Sequence, residues 1–262
     1  MMKYLFALLL VISFAFNQAL SSSQNIFEDH KLQTYSPLKA GVKDLLFDIR
    51  MDGLLDSVKK TTSLTSLEDL YFRVYWAYPG QYRIDVEGLP KGFKMLRKNL
   101  KSTIKPIVDI IFSDDFVRQF ERVPFIKNSN KKRTYVKKKQ AGEVSNISVE
   151  FNKRGILKTI NSSSPYSKFE TTFNHKLRSW SKGKYVMDKI TIAEMTNGLV
   201  STKVFDVERE LQTGVGLPKK VSIEQSLKRK EKVINSTTQN FHFTNFHVNT
   251  GKAISIMKGN KR

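Results

Sequence analysis

The chain has 262 residues, of which 40% are hydrophobic and 26% charged, and it contains no cysteine. These values exclude a disordered chain and a small disulfide-stapled module, because so long a chain can bury an apolar core without covalent help. The formal net charge of +21 favours anionic partners such as phospholipid head groups, lipopolysaccharide or peptidoglycan. A basic surface that serves solubility alone is the alternative that the charge leaves open.

The first segment has the pattern of a secretory signal peptide. Lys3 supplies a positive start, an apolar run covers residues 4–16, and the small residues Ala19 and Ser21 follow. The run is too short for a membrane-spanning helix, which needs about 20 residues. We therefore predict a signal peptide at residues 1–21, with an uncleaved anchor as the alternative. A signal peptide in a chain without cysteine predicts the bacterial periplasm, without a lipid anchor.

The rest of the chain is predicted to be a single β domain between two loose ends. Residues 22–37 predict a flexible arm, residues 38–250 the domain, and residues 251–262 a loose basic tail. Short segments with period-two alternation predict about ten strands, with one long helix between them. The predicted fold class is mainly β with helices (α+β): a large curved antiparallel sheet, an open or half barrel, with a helical plug.

The first strand is predicted from the alternation that begins at residue 44. Its carboxylates Asp44, Asp48 and Asp52 fall on the face opposite the apolar residues. A metal or acid–base cluster is one interpretation of three carboxylates in this spacing. A solvated face is the interpretation that we favour, because Arg50 lies on the same side.

The richest aromatic stretch, YFRVYWAYPGQYR at residues 71–83, predicts a β-hairpin that turns at Pro79-Gly80. Alternation places a continuous apolar surface on one face of this hairpin. Its members are Phe72, Val74, Trp76, Tyr82, Ile84 and Val86. This surface meets either a tightly packed core or something that can be removed.

An amphipathic helix is predicted at residues 93–112, with a kink or a division near Pro106. Its apolar stripe includes Leu96, Leu100 and Ile104, and its other face is basic. A helix on a membrane surface has this pattern, but so does a helix that packs its stripe on a sheet, which we favour.

Motifs for catalysis or metal binding are not present in the sequence. His242 and His247 are five residues apart, so a strand would place them on opposite faces, unlike a zinc pair. The basic run KKRTYVKKK at residues 131–139 predicts either a stripe that contacts acidic head groups or a lysine-protected edge strand. No nucleic-acid-binding module accompanies it. We predict a protein that is not an enzyme and needs no cofactor or metal.

The hairpin resembles the one in bacterial lipoprotein carriers and receptors of the LolA/LolB type. Pro79 matches the proline of their hairpin motif, Tyr82 matches the aromatic residue three positions later, and Gly216-Leu-Pro218 resembles a later turn. The resemblance implies an open curved sheet, a helical plug and a cavity for acyl chains. Tyr78 stands where the family commonly has a basic residue, and residues 91–112 insert a long helix.

The resulting functional prediction is a periplasmic carrier that binds lipoprotein acyl chains or phospholipid. The predicted lipid-binding residues are Phe72, Val74, Trp76, Tyr82, Ile84, Val86, Leu96, Leu100 and Ile104. The predicted protein is a monomer that meets anionic membrane surfaces and does not bind nucleic acid. A non-catalytic envelope scaffold with a packed core is the first alternative, and a secreted hydrolase of a polyanionic substrate is the second.

Overall fold

The structure is a computed structural model that describes residues 26–62, 64–112, 120, 127–129, 132–138, 144–230 and 232–259. The predicted signal peptide lies outside the described residues. In the part of the chain that is described, no helix combines the length and the apolar character needed to cross a membrane.

A single antiparallel sheet of twelve strands dominates the described residues. In chain order the strands are β1 (Asp44–Met51), β2 (Tyr71–Ala77), β3 (Gln81–Glu87), β4 (Lys127–Ser129), β5 (Lys132–Lys138), β6 (Val144–Phe151), β7 (Leu157–Ser163), β8 (Lys168–Leu177), β9 (Tyr185–Thr196), β10 (Leu199–Gln212), β11 (Val215–Arg229) and β12 (Lys232–Val248). The helices are α1 (26–33), α2 (Leu54–Thr62), α3 (Lys94–Phe112) and α4 (Lys252–Gly259). The predicted fold class is confirmed.

The strand order is β3-β2-β1-β12-β11-β10-β9-β8-β7-β6-β5-β4, so β3 and β4 are the two edges of an open, curved sheet. Strands that are consecutive in the sequence are neighbours in the sheet, except β3 and β4 at its two edges, and the first strand β1 pairs with the last strand β12. The sheet has twelve strands where about ten were predicted, and two of them, β4 and β5, lie at one edge, at and before the basic run.

The predicted hairpin is confirmed as β2 and β3. Trp76 lies opposite Tyr82, and Phe72 lies opposite Val86, as alternation from the turn requires. These side chains point into the main core, which also includes Phe47 of β1 and Phe241 of β12. The core therefore spreads along one face of the sheet, from the β3 edge toward β6.

The predicted flexible arm is wrong for residues 26–37. Residues 26–33 form α1, whose Phe27 is only 4% exposed and packs its ring edge-on against Phe151. The arm continues to Tyr35, whose backbone N–H donates to the carbonyl oxygen of Tyr185 at 2.9 Å. Phe27 belongs to the core and Ile26 packs against it, and these contacts order a segment that is polar on average.

The predicted loose tail is also wrong as far as residue 259. These residues include α4, which packs Ala253 against Leu46 and Tyr75 on the second face of the sheet. Asp44 holds the start of α4: its Oδ2 accepts from the N–H of Gly251 at 2.7 Å, and its Oδ1 accepts from Ile254 at 2.9 Å.

The carboxylates on this second face are buried, so the predicted solvated face is wrong for two of them. Asp44 and Asp48 are each 2% exposed. Asp48 accepts hydrogen bonds from Arg73 Nε at 2.8 Å and from Asn245 Nδ2 at 2.8 Å. These partners satisfy a charge that is otherwise costly to bury. Asp52 remains exposed, with His242 Nε2 at 3.1 Å from its Oδ1.

Helix α3 continues through Pro106 without a break. Of the two outcomes predicted near Pro106, a kink or a division, the division is therefore wrong. Proline removes one N–H from the helical ladder, and the buried residues that flank it, Ile104 and Ile107, keep the helix against the sheet.

Candidate functional site: the apolar face beneath helix α3

The structure brings the hairpin residues of the predicted lipid site onto one buried surface. Phe72, Val74 and Trp76 of β2 are fully buried, and Ile84 and Val86 of β3 are nearly so. Period-two alternation explains this arrangement, because residues that alternate along two paired strands share one face. All five belong to the main hydrophobic cluster.

Helix α3 covers this surface with the stripe that the sequence predicts. Ile104, Ile107 and Val108 are fully buried in the same cluster as the hairpin residues. Leu96 and Leu100, nearer the start of the helix, are partly buried and pack against the cluster from outside. The cover is therefore tight over the second half of α3 and looser over the first half.

Polar contacts fasten α3 to the edge strand β3. The hydroxyl of Tyr82 donates to Oδ1 of Asp109 at 2.7 Å, and Lys101 Nζ lies 3.4 Å from Oδ1 of Asp85. Partial burial and the bond to Asp109 both raise the pKa of the Tyr82 hydroxyl, which stays protonated. Arg97 Nη2 donates to the carbonyl oxygen of Leu89 at 2.7 Å.

The predicted lipid-site residues therefore come together, and they pack against one another. The inner members retain almost no exposed surface, whereas Tyr82, Leu96 and Leu100 retain some. Native side chains already occupy the interface between α3 and β2–β3. An acyl chain can enter there only if α3 moves away from the sheet.

A second cluster, which sequence reasoning missed, lies under the N-terminal arm. His30, His175 and Arg209 line a cavity of about 40 Å³. The two imidazole rings are 6.2 Å apart between centroids. Burial lowers the pKa of His175 to about 4, and burial with the nearby charges of His175, Lys39 and Lys31 lowers that of His30 to about 3. Both rings are therefore neutral at physiological pH.

One sequence signal for this cluster was available. Phe205, Val207 and Arg209 alternate along β10, so they share a face, and two of the three are core residues. An arginine that continues a buried apolar stripe is unusual. The histidines had no comparable signal, because α1 and β8 are far apart in the chain.

Metal chemistry has no support in the described residues, where no group of three or more His, Asp or Glu residues is placed to hold an ion. The basic run lies along β5, which is next to the short edge strand β4. Searches against protein-family models, curated proteins and solved structures find no match to this chain.

Proposed function

We propose that the protein is a periplasmic binder or carrier of lipid, with lipoprotein acyl chains or phospholipid as its ligand. The observation that carries this proposal is that a single helix covers the apolar inner face of the hairpin in an open sheet. The predicted resemblance to LolA/LolB-type carriers points to the same class of ligand. In this proposal α3 is a movable cover and the protein catalyses no reaction.

A lipid chain could make apolar contacts comparable in energy to those that α3 makes with the sheet. Each buried CH₂ group contributes about 0.8 kcal/mol, so ten of them contribute about 8 kcal/mol. The polar contacts that fasten α3 are partly exposed, and bonds of this kind contribute about 0.5–1.5 kcal/mol each. Lifting α3 also exposes Ile104, Ile107 and Val108, at about 1.5–3 kcal/mol each, so a lipid chain offsets a cost of similar size.

The net charge of the protein is consistent with the same proposal. The formal net charge of +21 steers it toward anionic membrane surfaces, where lipid ligands reside. The proposed location is the periplasm, and the proposed working form is a monomer that does not bind nucleic acid.

The experiment that tests the proposal locks the cover. Because the chain has no cysteine, Asp85→Cys and Lys101→Cys introduce two unique thiols, one on β3 and one on α3. A reducible bis-maleimide joins them, and uptake of a fluorescent long-chain lipid is measured before and after reduction. We expect uptake to be lost in the cross-linked protein and restored by reductant.

The matched control places both thiols on α3, by Lys94→Cys and Lys98→Cys, one helical turn apart. This cross-link leaves α3 able to move as a body, so uptake should persist. Equal uptake by the locked and unlocked proteins would show that lipid does not enter beneath α3.

A second candidate function is a non-catalytic envelope scaffold that uses the same sheet with a permanently packed core. The observation that favours it is the almost complete burial of Phe72, Val74, Trp76 and Ile104. A scaffold takes up no lipid in either the reduced or the cross-linked state, so the same experiment separates the two functions.

A further inference from the structure

The cavity beneath the N-terminal arm has walls from three parts of the structure. The arm contributes His30 and Tyr35, the sheet contributes His175 and Arg209, and α3 contributes Ile110. Its volume of about 40 Å³ is roughly three times what one water molecule needs. None of the lining residues, all of which are described, is an Asp or a Glu. The cavity therefore presents donors and apolar groups, without a carboxylate.

Arg209 is partly exposed as a residue, but two of its guanidinium nitrogens lack the partners that buried nitrogens normally have. Its Nε and Nη1 are buried and have no hydrogen-bond partner among the described residues. Burial lowers the pKa of Arg209 to about 10, with Tyr35 and Asp188 acting in the opposite direction, so the group is charged at pH 7. An unpaired buried charge costs several kcal/mol, and buried polar atoms without partners are rare in folded proteins.

Asp188, the carboxylate that acts on the pKa of Arg209, forms its hydrogen bond with another arginine. Oδ2 of Asp188 accepts a hydrogen bond of 2.6 Å from Nη2 of Arg178, and its Oδ1 has no partner among the described residues. Arg178 therefore holds Asp188, and Arg209 has no hydrogen-bonded counter-ion among the described residues. An anionic ligand would supply one.

Neutral donors accompany the arginine. The hydroxyl oxygen of Tyr35 accepts from the N–H of Gly216, which leaves its own proton to donate elsewhere, and burial raises the pKa of this hydroxyl. His30 Nδ1 accepts from the N–H of Leu157 at 3.1 Å, so the ring proton resides on Nε2. One fixed cation with neutral donors suits a monoanion better than a dianion.

An open pocket of about 430 Å³ adjoins the cavity and has the size of a site for an organic molecule. It shares Leu157, Phe173, His175 and Tyr185 with the cavity. Cationic side chains are also among its lining residues: Lys153, Arg154 and Lys158. The two spaces together offer an inner place for an anionic group and an outer place for the body that bears it.

We propose that this cavity binds an organic monocarboxylate, with the carboxylate on Arg209 and its hydrocarbon part against Phe173 and Leu157. A carboxylate matches the planar fork of a guanidinium and forms charge-assisted hydrogen bonds with it. Ile110 and Met187 provide the apolar wall that the first methylene groups contact. The ligand class is therefore a fatty acid or a comparable amphiphilic carboxylate.

The test titrates the full chain calorimetrically at pH 7 with sodium octanoate, with the neutral octanol of equal chain length, and with octyl phosphate. We expect octanoate to bind, octanol to bind at least about tenfold more weakly, and octyl phosphate to bind more weakly than octanoate. Equal binding of octanol, or a preference for the phosphate, would overturn the proposal. These comparisons use the wild-type chain, so they do not depend on the folding of a variant.

Variants then locate the site. Arg209→Met should lower octanoate affinity at least about tenfold and abolish the rise in unfolding midpoint that octanoate causes. Arg229→Met is the matched control, because it removes one exposed charge from the same sheet and should leave affinity unchanged. Arg209→Lys keeps the charge but loses the fork, and it should bind with intermediate affinity. Undiminished binding by Arg209→Met would contradict the assignment.

This inference does not rest on movement of α3. Octanoate should bind to the protein whose α3 is cross-linked to β3, because the lock preserves the wall that Ile110 contributes. Loss of long-chain lipid uptake on locking, with octanoate binding retained, would support both proposals. Either one can fail while the other holds.

Discussion

The hydroxyl oxygen of Tyr35 accepts a hydrogen bond of 2.7 Å from the backbone N–H of Gly216. The ring of Trp180 packs edge-on against Tyr35, with 5.1 Å between ring centroids, and lies directly over Gly216. Three distant parts of the chain therefore meet at one point. This contact fixes the arm over the Arg209 cavity.

Gly216→Ala should destabilise the protein, because a β-carbon at this position would overlap the Trp180 ring. We expect a loss of about 1–3 kcal/mol in the free energy of unfolding, measured by urea denaturation. Gly92→Ala is the control, since no atom lies within 4 Å of the added carbon and the effect should be small. Equal stability of the two variants would contradict this account of the arm.

Asp44→Ala should release α4 from the sheet. The substitution removes both acceptors for the N–H groups of Gly251 and Ile254, and we expect a loss of about 1–3 kcal/mol with faster amide exchange in α4. Asp206→Ala changes an exposed carboxylate and should alter stability by less than about 0.5 kcal/mol. Unchanged exchange in α4 after Asp44→Ala would show that packing of Ala253 alone holds the helix.

The sequence predicts the fold class well because strand alternation is a local property. Trp76 and Tyr82 are six residues apart, and the turn between them fixes their register. The burial of Asp44 and Asp48 was not predictable in the same way. Alternation assigns them to a face, but contacts made some 200 residues later, by the start of α4 with Asp44 and by Asn245 of β12 with Asp48, accompany their burial.

The candidate functional residues are likewise predictable from the sequence only in part. The apolar stripe of α3 and the apolar face of the hairpin can each be predicted from the sequence, and the two surfaces are in contact in the structure. The cavity at Arg209 could not be predicted from the sequence, because it forms only when α1 is ordered over β8 and β10. Helix α1 has eight residues, and so short a helix depends on tertiary contacts such as Phe27 with Phe151.

Tyr82→Phe should loosen α3 without disturbing the core, because it removes the hydrogen bond to Asp109 and keeps the aromatic ring. We expect a loss of about 0.5–1.5 kcal/mol, with faster amide exchange across residues 94–112. Asp109→Asn retains an acceptor and should have a smaller effect. If the cover proposal is right, Tyr82→Phe also takes up lipid faster than the wild-type protein.

The two buried histidines should make stability depend on pH. In the unfolded chain they titrate near pH 6.5, whereas in the folded protein the pKa is about 4 for His175 and about 3 for His30. Between pH 6.5 and the folded-state pKa values, the unfolded state binds more protons than the folded state. The free energy of unfolding is therefore highest above pH 6.5 and falls as the pH is lowered toward 4. Each histidine contributes a slope of up to about 1.4 kcal/mol per pH unit.

His175→Gln removes one of these groups and should flatten the fall in the free energy of unfolding between pH 6.5 and pH 4.5. Carboxylates that titrate at the lower end do so in both proteins, so the difference between the two curves isolates the histidine. Lys31 and Lys39 act on His30 and remain charged throughout this range. Parallel curves for the wild-type and variant proteins would show that His175 is solvated in the folded state and that the cavity stands open to water.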